Sequence, residues 1–352
     1  MESRPASLPR GASQNVSVEE EPPLTVAVTG ATGTVGPALL SRLLGEPSVA
    51  CVRVLGRREP PLPHAGARVQ WRAVDVRDRA AVARGVAGAD VVIHLAFALY
   101  GIGSRDRDLF ATNVEGSLNV ARAAEVAGAR RFVFTSSAAV YGFHRDNPPA
   151  IDEEFPMRAS SRHFYGRQKA QAEILIREQL QATATELFIL RPCGITGPNA
   201  AGAAANVVPR AARPILYASL AATARTGLRP MLPVPPVSLQ VVHEADVAQA
   251  LVLAALGRGP ANVYNLAGEG AVDAEEALEL LGFRRAPVPR ELVGRAFAAA
   301  AALPPLLPGV GWAETGTASL ILDTTRARRE LRWAPRYDTR GALRATRATI
   351  GW

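Results

Sequence analysis

Tyr165 and Lys169, in Tyr165-Gly166-Arg167-Gln168-Lys169, are the residues of this chain best spaced to move a proton. On a helix, positions i and i+4 share a face, so the ammonium lies one turn from the phenol. A nearby cation lowers a tyrosine pKa toward use as a general acid or base near neutral pH. Composition singles out the lysine as well. Lys and Arg together number 40, and every one except Lys169 is arginine. A compact ammonium with an adjustable pKa is what lysine supplies and arginine does not. Upstream, Thr135-Ser136-Ser137 closes an apolar run. A hydroxyl there can hydrogen-bond a substrate carbonyl or alcohol while Tyr165 moves the proton.

A second chemical signal is Thr29-Gly30-Ala31-Thr32-Gly33-Thr34-Val35-Gly36. Glycine at 30 permits a tight turn, and glycine at 33 lets the backbone approach a pyrophosphate, whose charge suits a helix N-terminus. Glycine at 36 allows close helix–strand packing. A strand before the loop, a helix after it and a second strand about twenty residues on match a dinucleotide fingerprint. Where an NAD enzyme offers a carboxylate to the adenosine ribose, this chain reads Leu55-Gly56-Arg57-Arg58. Arg57 can meet a ribose 2′-phosphate, which favours NADP over NAD. Asp75-Val76 follows the next strand and is read either as an adenine contact or as a helix cap by Asp75 or Asp78.

These residues need elements to hold them, and the apolar pattern supplies a repeating order. Strands are expected at 24–29, 52–55, 69–74, 90–95 and 131–135, with helices at 35–44, 79–86 and 112–127. Continuous β-branched runs predict strands covered on both faces, hence a parallel sheet. Strand and helix in alternation predict right-handed crossovers and an α/β doubly wound, Rossmann-type fold. Beyond about residue 197 the rhythm changes, leaving one strand at 239–242 and a helix at 245–256. The expected organisation is a disordered leader over 1–22 and a dinucleotide-binding domain over 23–199, with a returning segment near 239–268. A smaller, discontinuous substrate-binding lobe takes 200–238 and 269–352. The apolar run at 296–309 reads as a buried helix end and loop.

Composition narrows the function classes. A net charge of +8 allows a polyanion partner, but the arginines are dispersed among carboxylates, so no nucleic-acid partner is expected. No stretch reaches eighteen uninterrupted apolar residues and no secretory h-region is seen, so no membrane partner is expected and the localisation read is cytoplasmic. Cys51 and Cys193 lie in apolar runs and make no disulfide framework. Two cysteines and five histidines, too scattered for a cluster, predict no metal site. His94 and His243 read as scaffold residues.

Taken together these motifs resemble the extended short-chain dehydrogenase/reductase superfamily, also called the NAD-dependent epimerase/dehydratase family, over most of residues 24–337. Beyond the motifs above, the likeness rests on His94-Leu95-Ala96, Asn113-Val114-Glu115-Gly116 and Ser136 through Gly142. It continues in Arg191-Pro192 with Gly197-Pro198, in Val242 through Ala248 and in Trp333-Ala334-Pro335. The resemblance implies Ser137 as the catalytic serine and Tyr165 as acid/base. Lys169 would lower the tyrosine pKa and bind the nicotinamide ribose. Expected cofactor contacts are Gly30, Thr32, Gly33, Thr34, Val35, Gly36, Arg57, Asp75, Val76, Leu95, Ala96, Asn113, Ser136, Pro192 and Ile195, together with Tyr165 and Lys169. It also implies a homodimer.

Three departures bear on the reaction. Dehydratases of this kind carry Asp-Glu where this chain has Ala138-Ala139, so water elimination is disfavoured. Gly194 stands where many sugar-nucleotide epimerases carry an asparagine. Arg57 suggests a dissociable NADP(H). The leading expectation is an NAD(P)-dependent ketoreductase or alcohol dehydrogenase acting on a small, fairly apolar molecule. A nucleotide-sugar epimerase with NAD is the alternative, and a non-catalytic dinucleotide sensor comes third.

Overall fold

The structure is a computed structural model that describes residues 22–59, 68–99, 106–200, 231–302 and 310–350. The expected leader, except its last residue, lies outside the described residues, as do most of the 200–238 segment and the end of the 296–309 run.

In chain order the strands are β1 Leu24–Thr29, β2 Val49–Gly56, β3 Val69–Ala73, β4 Val91–His94, β5 Arg131–Thr135 and β6 Glu186–Pro192. The short strands β7 Gly194–Thr196, β8 Met231–Leu232, β9 Ser238–Leu239 and β10 Val241–His243 follow, then β11 Val263–Leu266, β12 Val272–Asp273 and β13 Arg284–Arg285. The helices are α1 Gly36–Gly45, α2 Arg79–Val86, α3 Asp106–Phe110, α4 Gly116–Val126, α5 Phe164–Leu180 and α6 Glu244–Ala255. Four more follow: α7 Ala274–Leu280, α8 Arg290–Ala302, α9 Thr325–Glu330 and α10 Thr339–Ile350.

Seven strands form one sheet in the order β3-β2-β1-β4-β5-β6-β11, parallel throughout. On one face Leu39, Leu40 and Leu43 of α1 pack with Val247 and Leu251 of α6. On the other, Val82 and Val86 of α2, Val120 of α4 and Ile176 of α5 pack together. Cover on both faces explains why all four residues of β4 are buried and why its sequence shows no alternation. The order reverses between β1 and β4, and a crevice opens there beyond the carboxyl ends of the strands. Among the described residues no helix is long and apolar enough to cross a membrane.

Three differences from the expected elements stand out. β6 and β11 were not anticipated and complete the sheet. The helix expected over 112–127 starts earlier, as α3, and passes through a π-helical turn at Ala111–Glu115 before α4. Ser117 Oγ donates to the Asn113 carbonyl at 2.5 Å within this widened turn. The single strand expected at 239–242 is two: β9 pairs antiparallel with β12, whereas β10 pairs parallel with β7.

Two motifs far apart in sequence meet. The fully buried Asp246 carboxylate accepts the backbone N–H of Arg336 at 2.8 Å and of Tyr337 at 3.1 Å. The Trp333 indole donates to the Asp246 carbonyl at 2.9 Å. This anchors the C-terminal segment on α6. His243 caps α6, its Nδ1 accepting from Ala245 N, and stacks on Tyr337 at 4.1 Å, the scaffold role read for it.

Candidate active site

The glycine-rich loop sits at the reversal of strand order. Gly30 has φ +73°, a conformation that L side chains rarely adopt, and a Cβ there would lie 2.4 Å from the Ala96 nitrogen. A Cβ on Gly36 would lie 1.8 Å from the Ala31 carbonyl oxygen. Both glycines are therefore demanded by close backbone approach. Within the loop Gly33 N donates to Gly30 O at 3.0 Å and Gly36 N to Gly33 O at 3.1 Å, while no side chain caps α1 at Val35 and Pro37 opens the helix, which leaves the positive helix end for an anion. A dinucleotide pyrophosphate fits this cradle.

Beside it, at the carboxyl ends of β2 and β3, exposed Arg57 approaches the Asp75–Arg77 pair. Arg77 grips Asp75 with Nε to Oδ1 at 3.0 Å and Nη2 to Oδ2 at 2.6 Å. Arg77 foremost holds the Asp75 carboxyl below its usual range, and the charge of Arg57 adds to this. The helix cap is Asp78, which accepts from Ala81 N at 3.0 Å, so Asp75 is free of that duty. No motif singled out Arg77, whose grip on Asp75 is local, two residues along the chain. Val76 packs on Gly116, and its carbonyl accepts from Asn119.

Two expected cofactor side chains are spent elsewhere. Asn113 is fully buried; its Oδ1 accepts from Ala98 N at 2.6 Å, and its Nδ2 donates to Ala98 O and to Gln168 Oε1. It braces the loop that carries Leu95 and Ala96. Ser136 turns its hydroxyl away from the crevice, donating to Glu173 Oε2 at 2.8 Å. Glu173 is one helical turn past Lys169, so the charged network beneath α5 claims this serine first. Pro192 ends β6, and Ile195 lies in β7 beside Val242.

Ser137, Tyr165 and Lys169 do converge. Ser137 accepts from Ala139 N at 3.2 Å, opening the short 3-10 turn over Ala138–Tyr141. Its hydrogen bond to Tyr165 works to lower the phenol pKa, yet burial is the larger influence and holds it above the usual range. Lys169, which the resemblance implies as the residue that lowers the phenol pKa, is not among these influences. The ammonium of Lys169 donates to the Thr135 carbonyl at 2.5 Å and sits 3.8 Å from the centre of the Phe97 ring, against 6.0 Å for the Tyr165 ring. Burial lowers the Lys169 pKa to about 7 against the upward pull of Glu173.

Glu173 lies at the centre of a buried polar network. It pairs with Arg191 and is reached from the surface by Arg177 at 3.2 Å. Arg191 Nη1 also donates to the Tyr141 hydroxyl at 2.8 Å, and that hydroxyl donates to Asn265 Oδ1 at 2.8 Å. Burial pushes the Glu173 pKa up, but Arg191, Arg177 and Ser136 together outweigh it and hold the carboxylate charged. The network ties β5, β6 and β11 to α5 directly beneath Ser137 and Lys169.

Aromatic rings enclose Tyr165. Phe97 meets it edge-on at 5.5 Å, Trp312 stacks on it at 5.6 Å, and His163 lies 6.2 Å away. No motif singled these three out. The closest signal was position, with His163 two residues before Tyr165 and Phe97 following His94-Leu95-Ala96. Both ring nitrogens of His163 are buried with no hydrogen-bond partner among the described residues. His94, by contrast, joins Thr29 Oγ1 at 2.6 Å to Ser117 Oγ at 2.8 Å, the scaffold role read for it.

Burial depresses the His163 pKa to about 4. Between pH 6.5 and about 4 the unfolded chain binds a proton that the folded chain refuses, so stability falls as pH drops through this window. The loss attributable to His163 is on the order of 3 kcal/mol. His163→Phe keeps the ring packing and is expected to lose less stability than the parent between pH 7 and pH 4.5. Thermal melts at the two pH values check this; equal losses in both proteins would refute it. Among the described residues no cluster of His, Cys, Asp or Glu could hold a metal ion.

A family model described as NAD dependent epimerase/dehydratase family matches residues 26–267. The chain is 33% identical over 193 residues to the N-acetyl-alpha-D-glucosaminyl-diphospho-ditrans,octacis-undecaprenol 4-epimerase of Escherichia coli O157:H7, covering 53% of this chain and 54% of that protein. It is 34% identical over 190 residues to the 3 beta-hydroxysteroid dehydrogenase type 7 of Homo sapiens, covering 49% and 51%. The matched regions thus span about half the length of these two relatives. The crystal structure of the Bordetella bronchiseptica enzyme WbmG in complex with NAD is alike in fold, with a TM-score of 0.67 at 20% identity over 95% of this chain and 96% of that one. From the glycine loop at the reversal of the sheet to the Tyr165–Lys169 helix and the match across 26–267, this chain belongs to the NAD-dependent epimerase/dehydratase family of enzymes.

Proposed function

We propose that this protein is an NADP(H)-dependent ketoreductase or alcohol dehydrogenase acting on a small, fairly apolar molecule. The observation that carries the reading is the lining of Tyr165: Phe97, Trp312 and His163 rather than carboxylates. Aromatic walls favour an apolar body, because polar groups brought against them lose water without gaining partners. Ala138 and Ala139, buried beside Ser137, have no proton to give, which speaks against water elimination.

In this reading the loop from Gly30 to Gly36 and the start of α1 hold the pyrophosphate, Arg57 the 2′-phosphate, and Pro192 to Ile195 border the nicotinamide. A nicotinamide bound there supplies the hydride in reduction and accepts it in oxidation. Ser137 holds the substrate oxygen by a hydrogen bond. The Tyr165 hydroxyl gives that oxygen a proton as the ketone becomes an alcohol and takes it back in the reverse direction. Lys169 carries charge beneath the phenol, and the aromatic rings keep water out.

Titration with NADPH and NADH, read by fluorescence quenching, tests the cofactor assignment. NADPH is expected to bind the more tightly. Arg57→Ala removes a charge-assisted hydrogen bond and is expected to weaken NADPH about tenfold or more while sparing NADH. A nucleotide-sugar epimerase is the second reading, favoured by the 28% identity over 296 residues to the UDP-glucose 4-epimerase 2 of Oryza sativa subsp. japonica. Tighter NADH binding, or NAD retained through purification, moves that reading to first place.

A further inference from the structure

Beside the Trp312–Tyr165 stack the protein carries a cleft of about 430 Å³ whose walls are apolar throughout. Val288, Leu292, Val293, Ala296 and Phe297 form one wall, and Ala313 closes it from the other side. The volume falls in the range of small-molecule sites, which run from roughly 300 to 1,000 Å³.

The cleft is built onto the catalytic segment. Ala313 adjoins Trp312, whose ring stacks on Tyr165. Ser160 Oγ donates to Glu314 Oε1 at 2.7 Å, clamping the 3-10 turn Val310–Gly316 to the chain just before Tyr165. Arg162 Nη1 donates to the Ala301 carbonyl at 3.3 Å, which fastens the end of α8 to the same stretch. Gly316 lets that turn lie against Phe297; a Cβ there would come 2.2 Å from the ring. Two hydrogen bonds and one glycine thus register an all-apolar cleft against the phenol. Leu292, 56% exposed, lines the cleft and extends its apolar surface to solvent.

We propose that this cleft binds the hydrocarbon body of the substrate, so that the enzyme acts on a ketone or secondary alcohol carrying an apolar chain or ring. This rests on the redox reading above. The reacting carbon lies at Ser137 and Tyr165, and the rest of the molecule runs past Trp312 along α8. Reduction consumes one ketone, one NADPH and one proton and yields the alcohol and NADP⁺.

The test uses the full chain and the 2-alkanones from butan-2-one to dodecan-2-one, with 2-decalone to distinguish a compact ring body from a chain. Binding to the NADPH-loaded protein is followed by tryptophan emission, and turnover by NADPH oxidation. Burial of each methylene is expected to tighten Kd about twofold to fourfold until the cleft is filled. Leu292→Glu and Ala296→Glu place a carboxylate in the wall from exposed helix positions. Each is expected to weaken dodecan-2-one more than tenfold and flatten the dependence on chain length, with NADPH binding as the control for folding. A flat series in the parent protein, or an undiminished slope in both Glu variants, overturns the proposal. Steep binding without NADPH oxidation supports the cleft and removes the redox reading. Oxidation with a flat series keeps the redox reading and removes the cleft.

Discussion

Tyr165→Phe is expected to lower kcat by about 10² to 10⁴-fold, the usual contribution of a positioned acid/base group, with NADPH affinity unchanged. The substitution removes one oxygen and keeps the ring, so the stack on Trp312 and the edge contact with Phe97 persist. What is lost is the only phenol within the Ser137 hydrogen bond. Burial raises the phenol pKa, which keeps its proton in place at neutral pH and available to a forming alkoxide. Steady-state turnover together with the cofactor titration separates the two effects. Undiminished turnover would sink the mechanism.

Arg191→Met is expected to destabilise the fold by about 3 to 5 kcal/mol, because it leaves the Glu173 carboxylate buried without its main partner. Both side chains of the pair are almost wholly removed from water. For a chain of this size the melting temperature falls by about 4 to 7 °C. Glu173→Leu carries a similar loss by stranding the guanidinium. The double variant is expected to recover much of it, since a buried ion pair replaced by apolar groups of similar volume is often close to neutral. Thermal unfolding of the two singles and the double forms a closed cycle. A double variant as unstable as the sum of its singles would show that the cost lies in packing rather than in the unpaired charge. The same network holds Ser136, so the Arg191→Met variant also reports whether the hydroxyl strand end depends on it.

Much of the fold and part of the site were legible in the chain because they rest on local rules. Gly30 and Gly36 followed from the backbone demands of a strand-to-helix turn, and those demands are met within a few residues. The Tyr165–Lys169 spacing placed both side chains on one helical face whatever the helix packed against. β4 and β5 announced themselves as short apolar runs. β6 and β11 were not anticipated, although Phe188-Ile189-Leu190 is such a run. Asn113 and Ser136 were expected at the cofactor from the family resemblance, and their side chains hydrogen-bond to Ala98, Gln168 and Glu173.

Residue type and spacing alone thus determined the doubly wound sheet, the glycine turn between β1 and α1, and the placement of the Tyr165 and Lys169 pair on one helix. The protonation behaviour of that pair, and the identity of the rings around it, came from packing between distant segments. Glu314 reaches Ser160 across 154 residues of chain, and that closure is what brings Trp312 onto Tyr165. Periodicity and motif spacing are properties of neighbours along the chain. Desolvation, which lowers Lys169 and raises Tyr165, depends on which side chains exclude water from every direction, and the folded chain assembles that set from segments far apart in sequence.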